Sequence, residues 1–384
     1  MPHGLEVAAV SSLRDVPAAE WDALAATSGI YTSHAWMSSV EAEPGAQAEY
    51  LLARRQGRLV GALPHYQVDL EYNAYYATPR HLDILGLDGT WTVTGARRGY
   101  RFELPCDGTE DAAAVAEALV TPALEMAEAR GDRGCLFPFV TTPTAKLLWE
   151  RGAAVALDGA ESSIVTGSAP FETYRSTLPR KRRNAVQHEF STFLNAGYDL
   201  ATERLEDCYE EAAPLLVELQ LKYGHEANTD GMVQYLTGQL EALGRYAIVF
   251  TARIAGRLVA FSLMYQFGDA LYARAAGFDY TRTEKAFAYY ALCYYLPIEH
   301  MHRQGLRELH LGMETYKAKV ARGAVLSPLW SVALPCKSSA RPNVKPSDTS
   351  AWRLEYGARA VTEELWQPPW AVPWTADTRI EETL

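Results

Sequence analysis

The chain has 384 residues, 48% hydrophobic and 22% charged, with a formal net charge of −11. That length holds two domains with cores of their own, and the acidic balance weakens any claim of broad nucleic-acid affinity while leaving room for a local basic patch, because phosphate binding needs concentrated Lys and Arg; no DNA partner is expected. Five scattered cysteines (Cys106, Cys135, Cys208, Cys293 and Cys336) form no C-x-x-C pair, which excludes a disulfide framework and a zinc site and fits a reducing, cytoplasmic setting.

The first residues lack the basic-then-apolar layout of a secretion signal. The longest uncharged apolar stretch, 286–298, is too short to span a bilayer, so no membrane segment is expected. Helical patterns cover 18–26 and 34–42, followed by strand patterns over 49–54 and 58–67. A helix over 111–130, a strand over 134–140, a helix over 143–151 and a closing strand over 162–167 complete a first α/β domain, residues 1–165.

From Phe171 one long helix is predicted, with Val186, Phe190 and Phe193 on its apolar face and Gly197 as its stop. Leu215, Leu216, Leu219 and Tyr223 mark a second helix; Met232, Leu236, Leu240 and Leu243 mark a third. Strands over 246–253, 258–267 and 270–277, a helix over 284–303 and a strand over 306–311 finish a second domain, residues 166–336. Residues 337–384 are rich in Pro and Trp and read as an irregular arm clamped to the body, or as a partner-binding tail.

The two halves share a written pattern. Ala53-Arg54-Arg55-Gln56-Gly57-Arg58-Leu59-Val60 returns about 200 residues later as Ala252-Arg253-Ile254-Ala255-Gly256-Arg257-Leu258-Val259. Each copy is an apolar run, a Gly-containing turn and a second apolar run, the signature of a β-hairpin. The expected architecture is therefore α/β, two tandem copies of one domain built on a mixed central sheet flanked by helices, plus the irregular C-terminal arm.

Chemistry-bearing residues concentrate in the second half. Arg180, Lys181, Arg182 and Arg183 form the strongest charge cluster. They can grip phosphates through charge-assisted contacts, or, spread around a helix, stand partly solvated. Gly312-Met313-Glu314-Thr315-Tyr316-Lys317 lies beyond the 306–311 strand, at the carboxyl end where α/β proteins place chemistry. Tyr289, Tyr290, Tyr294 and Tyr295 give one helix two aromatic rows, either buried or lining an acceptor pocket to which His81 and Asp83 are also candidates. Nucleophile-elbow, phosphate-loop and H-E-x-x-H patterns are missing.

The two fused α/β domains, the basic helix and the Gly312-to-Lys317 element resemble the double GNAT (N-acetyltransferase) fold, in particular the Fem-like peptidyltransferases and their bacterial acetyltransferase relatives. The resemblance implies an enzyme that moves an acyl or aminoacyl group from an activated ester onto an amine. Fem-type enzymes take the group from aminoacyl-tRNA for a peptidoglycan precursor, ordinary GNAT enzymes from acyl-CoA, and some relatives serve natural-product pathways. No permanently bound cofactor or metal is implied, only aminoacyl-tRNA or acyl-CoA as co-substrate, a small-molecule amine as acceptor, and a monomer or homodimer. A catalytically inactive GNAT pair that binds a ligand or partner is the reading from another class.

The same resemblance assigns roles. Lys317 matches a lysine in the family's Tyr/Phe-Lys element, suited to stabilising a tetrahedral oxyanion. Tyr316 can protonate the leaving oxygen or sulfur. Glu314 heads the candidates for a general base, with His310, Asp279, His81 and Asp83 behind it, or serves as the ion-pair partner of Lys317. A CoA-binding GNAT carries an R/Q-x-x-G-x-G/A loop whose backbone N–H groups hold pyrophosphate. Here 278–288 offers Arg282 and Lys285 but neither glycine, and Phe287 stands where close backbone approach is needed. The basic, glycine-flanked 95–99 segment of the first domain reads as a phosphate loop or a plain surface loop. These features favour an aminoacyl-tRNA donor, with acyl-CoA as the alternative.

Overall fold

The structure is a computed structural model that describes residues 4–375 apart from 27, 72 and 96. The chain forms two compact units, Met1–Glu161 with Leu326–Leu384, and Ser162–Val325. Strands β1 (Glu6–Val10), β2 (Ala46–Arg55), β3 (Arg58–Val68), β4 (Thr92–Thr94), β5 (Gly134–Thr141) and β6 (Ala154–Val165) precede β7 (Asp199–Glu203), β8 (Ala247–Ile254), β9 (Arg257–Phe267), β10 (Ala270–Phe278), β11 (Glu308–His310) and β12 (Val325–Pro335). In the first unit the strand order is β1-β2-β3-β4-β5-β12-β6; in the second, β11-β10-β9-β8-β7 continues from the end of β6.

The repeat seen in the sequence is a repeat of structure. β1-β2-β3-β4 and β7-β8-β9-β10 are antiparallel throughout, and β4–β5 and β10–β11 are the parallel pairs. Both hairpins turn on two residues of positive φ, Gln56 (50°) with Gly57 (81°) and Ala255 (50°) with Gly256 (80°), the type I′ turn that matches strand twist. Each carries a bulge one turn before, at Ala53/Arg54 and Ala252/Arg253. The bulged arginine is held alike in both: Arg54 pairs with Glu20 at 2.5 Å, Arg253 with Glu211 at 2.9 Å and Glu203 at 3.0 Å. Glu20 and Glu211 also accept the N–H of Leu59 and Leu258.

The closing strands depart from the expected order. Residues 163–165 of β6 pair antiparallel with β11, and β12 pairs antiparallel with β5. Each sheet is thus completed by a strand from the other half of the chain, and 162–167 does not close the first domain. This exchange explains why the chain returns to the first unit at Leu326.

Two predicted helices are also divided. Pro179 holds Leu178 in an extended conformation, so the long helix from Phe171 becomes Phe171–Thr177 and Arg180–Leu194. The expected 284–303 helix is a series of short segments, with a π-helical turn at Ala291–Tyr295 before the regular helix Leu296–Gln304. In the second unit Phe171, Phe190, Phe193, Tyr294, Tyr295 and Ile298 pack against Leu271 and Leu309 of the sheet.

The C-terminal arm packs within the first unit. Trp366 is buried and its indole N–H donates to the Leu326 carbonyl at 2.8 Å; that of Trp374 donates to Thr349 Oγ1 at 2.8 Å. The rings of Trp330 and Trp370 meet edge to face at 5.5 Å. No helix among the described residues is long and apolar enough to cross a membrane.

The hairpin turns give a direct test. Gly57→Val or Gly256→Val forces a β-branched residue into positive φ and is expected to cost about 1–3 kcal/mol, read as a lower midpoint in urea unfolding with unchanged slope.

Candidate functional site

The ladder between β10 and β11 is short. It pairs only Ala270, Leu271 and Tyr272 with Glu308, Leu309 and His310, whereas β10 runs on to Phe278 and bulges at Arg274. β11 ends where this ladder ends, and residues 273–276 of β10, beyond it, are half-buried. In the first unit the chain itself pairs with β5 beyond the equivalent ladder. There Phe102, wholly buried, donates its N–H to the Phe139 carbonyl at 2.8 Å and accepts from Thr141 N–H at 2.9 Å. The half-buried stretch 273–276, which β11 does not cover, is the better candidate place for a substrate.

The segment after β11 is bent tightly: Gly312, Glu314 and Thr315 all have positive φ (67°, 66° and 49°). Backbone held this way by non-glycine residues is strained and persists only where its surroundings fix it. Lys319 does so. Buried at 4% exposure, its ammonium donates to the carbonyls of Gly312 at 3.0 Å and Met313 at 2.7 Å. The structure therefore separates two lysines that the sequence presents alike. Lys319 holds the loop, while Lys317 is exposed on the short helix Tyr316–Val320, with Glu314 exposed and Tyr316 half-buried beside it.

The tyrosine helix leans on the same loop. The Tyr289 ring meets Phe278, at the end of β10, edge to face at 5.7 Å, and its hydroxyl faces Thr315. Burial pushes the phenol of Tyr289 up, so it is neutral at ordinary pH. Buried Cys293 has its thiol pushed up to about 12 by burial, which leaves it unsuited to nucleophilic catalysis. Tyr290 is covered: the Arg322 guanidinium lies 3.2 Å from its ring centroid.

Arg322 is the residue that sequence reasoning missed. It is buried, donates to both oxygens of Glu189 at 2.9 and 2.7 Å and to Tyr295 Oη at 3.0 Å, and its own carbonyl accepts from Tyr174 Oη at 2.8 Å. Tyr295 in turn donates to Glu189. This network joins the Arg180–Leu194 helix, the tyrosine segment and the chain after Lys317. Burial opposes the arginine's charge, but Glu189 and the tyrosines outweigh it and its pKa is raised.

The turn after β10 is held by its own hydrogen bonds. Asp279 accepts the N–H of Thr281 at 3.1 Å and its hydroxyl at 2.5 Å, and pairs with Arg282 at 3.4 Å. The first unit repeats the device: Asp107 accepts the N–H of Thr109 at 2.8 Å and its hydroxyl at 2.6 Å. Both aspartates donate their own N–H to a hairpin carbonyl, Val259 at 2.8 Å and Val60 at 2.9 Å. In each turn one backbone N–H and one hydroxyl are thus turned to a carboxylate of the chain itself.

The remaining candidates fall into separate places. Arg180, Lys181 and Arg182 are exposed and Arg183 half-buried at the start of the Arg180–Leu194 helix, which packs against the segment Glu284–Ala286 carrying exposed Lys285. His81 belongs to the first unit and is buried. Its Nδ1 is 2.8 Å from Asp158 and 3.0 Å from Ser331, and its ring stands edge-on to Phe139. Burial opposes the charge of Asp158, but His81 and Arg80 hold its carboxyl below the usual range. Asp83 is exposed, on another face of the same helix. In the 95–99 segment, Arg97 and Arg98 pair with Glu71, and Arg98 also with Glu43, so this loop serves the fold.

A profile of the FemAB-like family, described as peptidoglycan biosynthesis/recognition, matches residues 93–345, more than half of the chain. Among solved structures, FemX superposes with a TM-score of 0.62 at 11% identity, covering 86% of this chain and 97% of that one. A conserved protein of unknown function from Bacteroides thetaiotaomicron VPI-5482 gives a TM-score of 0.53 at 12% identity, covering 84% of this chain and 98% of that one. These likenesses are of fold. No curated protein matches the sequence significantly.

Removing one member of the buried pair leaves an uncompensated charge. Arg322→Met is expected to cost about 3 kcal/mol in urea unfolding, and the double variant with Glu189→Gln to recover part of that loss.

Proposed function

Because the chain belongs to the FemAB-like family and is an acyl- or aminoacyltransferase of the Fem and GNAT type, we propose that it forms an amide by moving an aminoacyl group from aminoacyl-tRNA to an amine, on a cell-wall-related or natural-product acceptor. The observation that carries this reading is the Asp279 turn. A carboxylate that accepts the loop's own N–H and hydroxyl groups repels a pyrophosphate and competes for the donors it would need. The exposed cations at Arg180, Lys181 and Arg182, with Lys285 on a segment packed against the same helix, suit an extended polyanion better than a compact one.

The chemistry follows from the bent loop. The acceptor nitrogen attacks the ester carbonyl, and the exposed ammonium of Lys317 stabilises the oxyanion. The C–N bond forms as the C–O bond to the ribose breaks. Tyr316 donates its proton to the leaving ribose oxygen, and Glu314 takes the proton that the acceptor amine sheds as its nitrogen bonds to the carbonyl carbon. Lys319, by fixing the carbonyls of Gly312 and Met313, holds these three side chains in register with the open end of β10.

Binding decides between donors. Bulk aminoacylated tRNA at near-physiological salt is expected to bind with a steep salt dependence that added CoA leaves unchanged. Replacing Arg180, Lys181, Arg182 and Arg183 together by Ala should weaken it about tenfold or more and flatten the salt slope. Absence of RNA binding, with acyl-CoA raising the melting temperature, would overturn the proposal. Lys317→Ala should keep RNA affinity and lower transfer by about 10²–10³-fold.

A further inference from the structure

The helix Arg180–Leu194 carries more than its cations. With 3.6 residues to a turn, Arg180, Lys181, Asn184, Gln187 and His188 share one face, and all five are exposed. Val186, Phe190 and Phe193 bury the opposite face. No acidic residue falls between Arg180 and His188, and Glu189, the next along, is bound to Arg322. On the preceding helix Glu172 is paired with Arg175. The Glu284–Ala286 segment packed against the helix brings Glu284 and Lys285, which cancel in formal charge. The exposed face is therefore cationic at its first turn, with two amides and an imidazole beyond.

Two turns along that face the imidazole of His188 meets the ring of Phe287, with 5.7 Å between centroids at 69°. Phe287 precedes the Ala288–Tyr290 turn at φ 58° and ψ 30°, and its carbonyl accepts the N–H of Tyr290 at 3.0 Å and of Ala291 at 3.1 Å. Left-handed backbone suits glycine, and a bulky aromatic residue there is strained. Strain of this kind gathers at ligand clamps, where the side chain is needed. Here the Phe287 ring buttresses His188 from one side. Because His188 is exposed, its imidazole keeps surface for a second flat group. Cations followed by an exposed aromatic ring are the two parts of a single-strand nucleic-acid site: phosphates meet the first, and an unpaired base stacks on the second. Arg180 and His188 lie about 12 Å apart along the helix axis, several times the roughly 3.4 Å step between stacked nucleotides. That length suits a strand, and the amides of Asn184 and Gln187 between the two ends offer donors and acceptors to ribose and base edges.

We propose that His188, buttressed by Phe287, stacks an unpaired nucleobase of the RNA donor while Arg180 and Lys181 hold the phosphates beside it; this rests on the RNA-donor reading above. The probes are an unacylated acceptor-stem RNA hairpin with a single-stranded 3′ tail, and its counterpart of equal length and charge whose tail is abasic. Fluorescence anisotropy at about 0.15 M salt is the readout. Wild-type protein is expected to bind the base-bearing tail about tenfold more tightly than the abasic one, and excess CoA should leave that preference unchanged. His188→Ala should bind both at the abasic level, and His188→Phe should restore the preference. Arg180→Ala with Lys181→Ala should weaken both hairpins alike and flatten the salt slope. Equal binding of the two hairpins by wild type, a preference that survives His188→Ala, or one that His188→Phe does not restore overturns the stacking site and leaves the donor intact. A preference abolished by CoA assigns the ring to that nucleotide and overturns the RNA base as its occupant. No binding of either hairpin overturns the RNA donor, and the stacking site with it.

Discussion

The buried pair of Arg322 and Glu189 is the interaction on which the second unit's site stands. It reaches three elements at once: the basic helix through Glu189, the tyrosine segment through Tyr290 and Tyr295, and the chain just past Lys317 through Arg322 itself. A buried pair of this kind contributes little net stability, because desolvation offsets its attraction. Its value is in position. With guanidinium and carboxylate desolvated together, the three elements have one arrangement that leaves neither charge of the pair uncompensated.

The duplication explains both what the two units share and where they differ. Hairpin, bulge, bulged arginine and Asp-x-Thr turn occur twice with the same hydrogen bonds, so the frame was kept. What changed is the stretch after the parallel pair. In the first unit Phe102 adds its backbone to β5 beyond the parallel pair; in the second the ladder stops at Tyr272 and His310. Exchange of the closing strands β6 and β12 places the frame of each sheet under the control of both halves of the chain.

Local signals carried much of this into the sequence. The two hairpins were legible because each places a glycine, Gly57 or Gly256, in a tight turn between two apolar runs, and that glycine takes the positive φ of a type I′ turn. Missing glycines after β10 were legible for a similar steric reason. The rest depends on burial, which spacing does not encode. Lys317, Lys319 and Arg322 look alike in the sequence, and only packing makes the second a loop clamp and the third a buried hub. His81 and Asp83 lie two residues apart and face opposite environments, one toward Asp158 and Ser331, the other toward solvent. Pro179 did announce a helix boundary, yet the continuous apolar face beyond it reads as one helix. The strand exchange had no local signal, since β6 and β12 carry the same apolar character as any buried strand.

The central claim is transfer of an aminoacyl group from RNA by the second unit. The most direct measurement incubates the protein with bulk tRNA charged with radiolabelled amino acids and a pool of small primary amines, then counts label that survives mild alkali, which hydrolyses esters but not amides. The account predicts alkali-stable label that requires charged tRNA and falls to background in Lys317→Ala. No alkali-stable label from charged tRNA, together with alkali-stable label when radiolabelled acetyl-CoA replaces it, would contradict it.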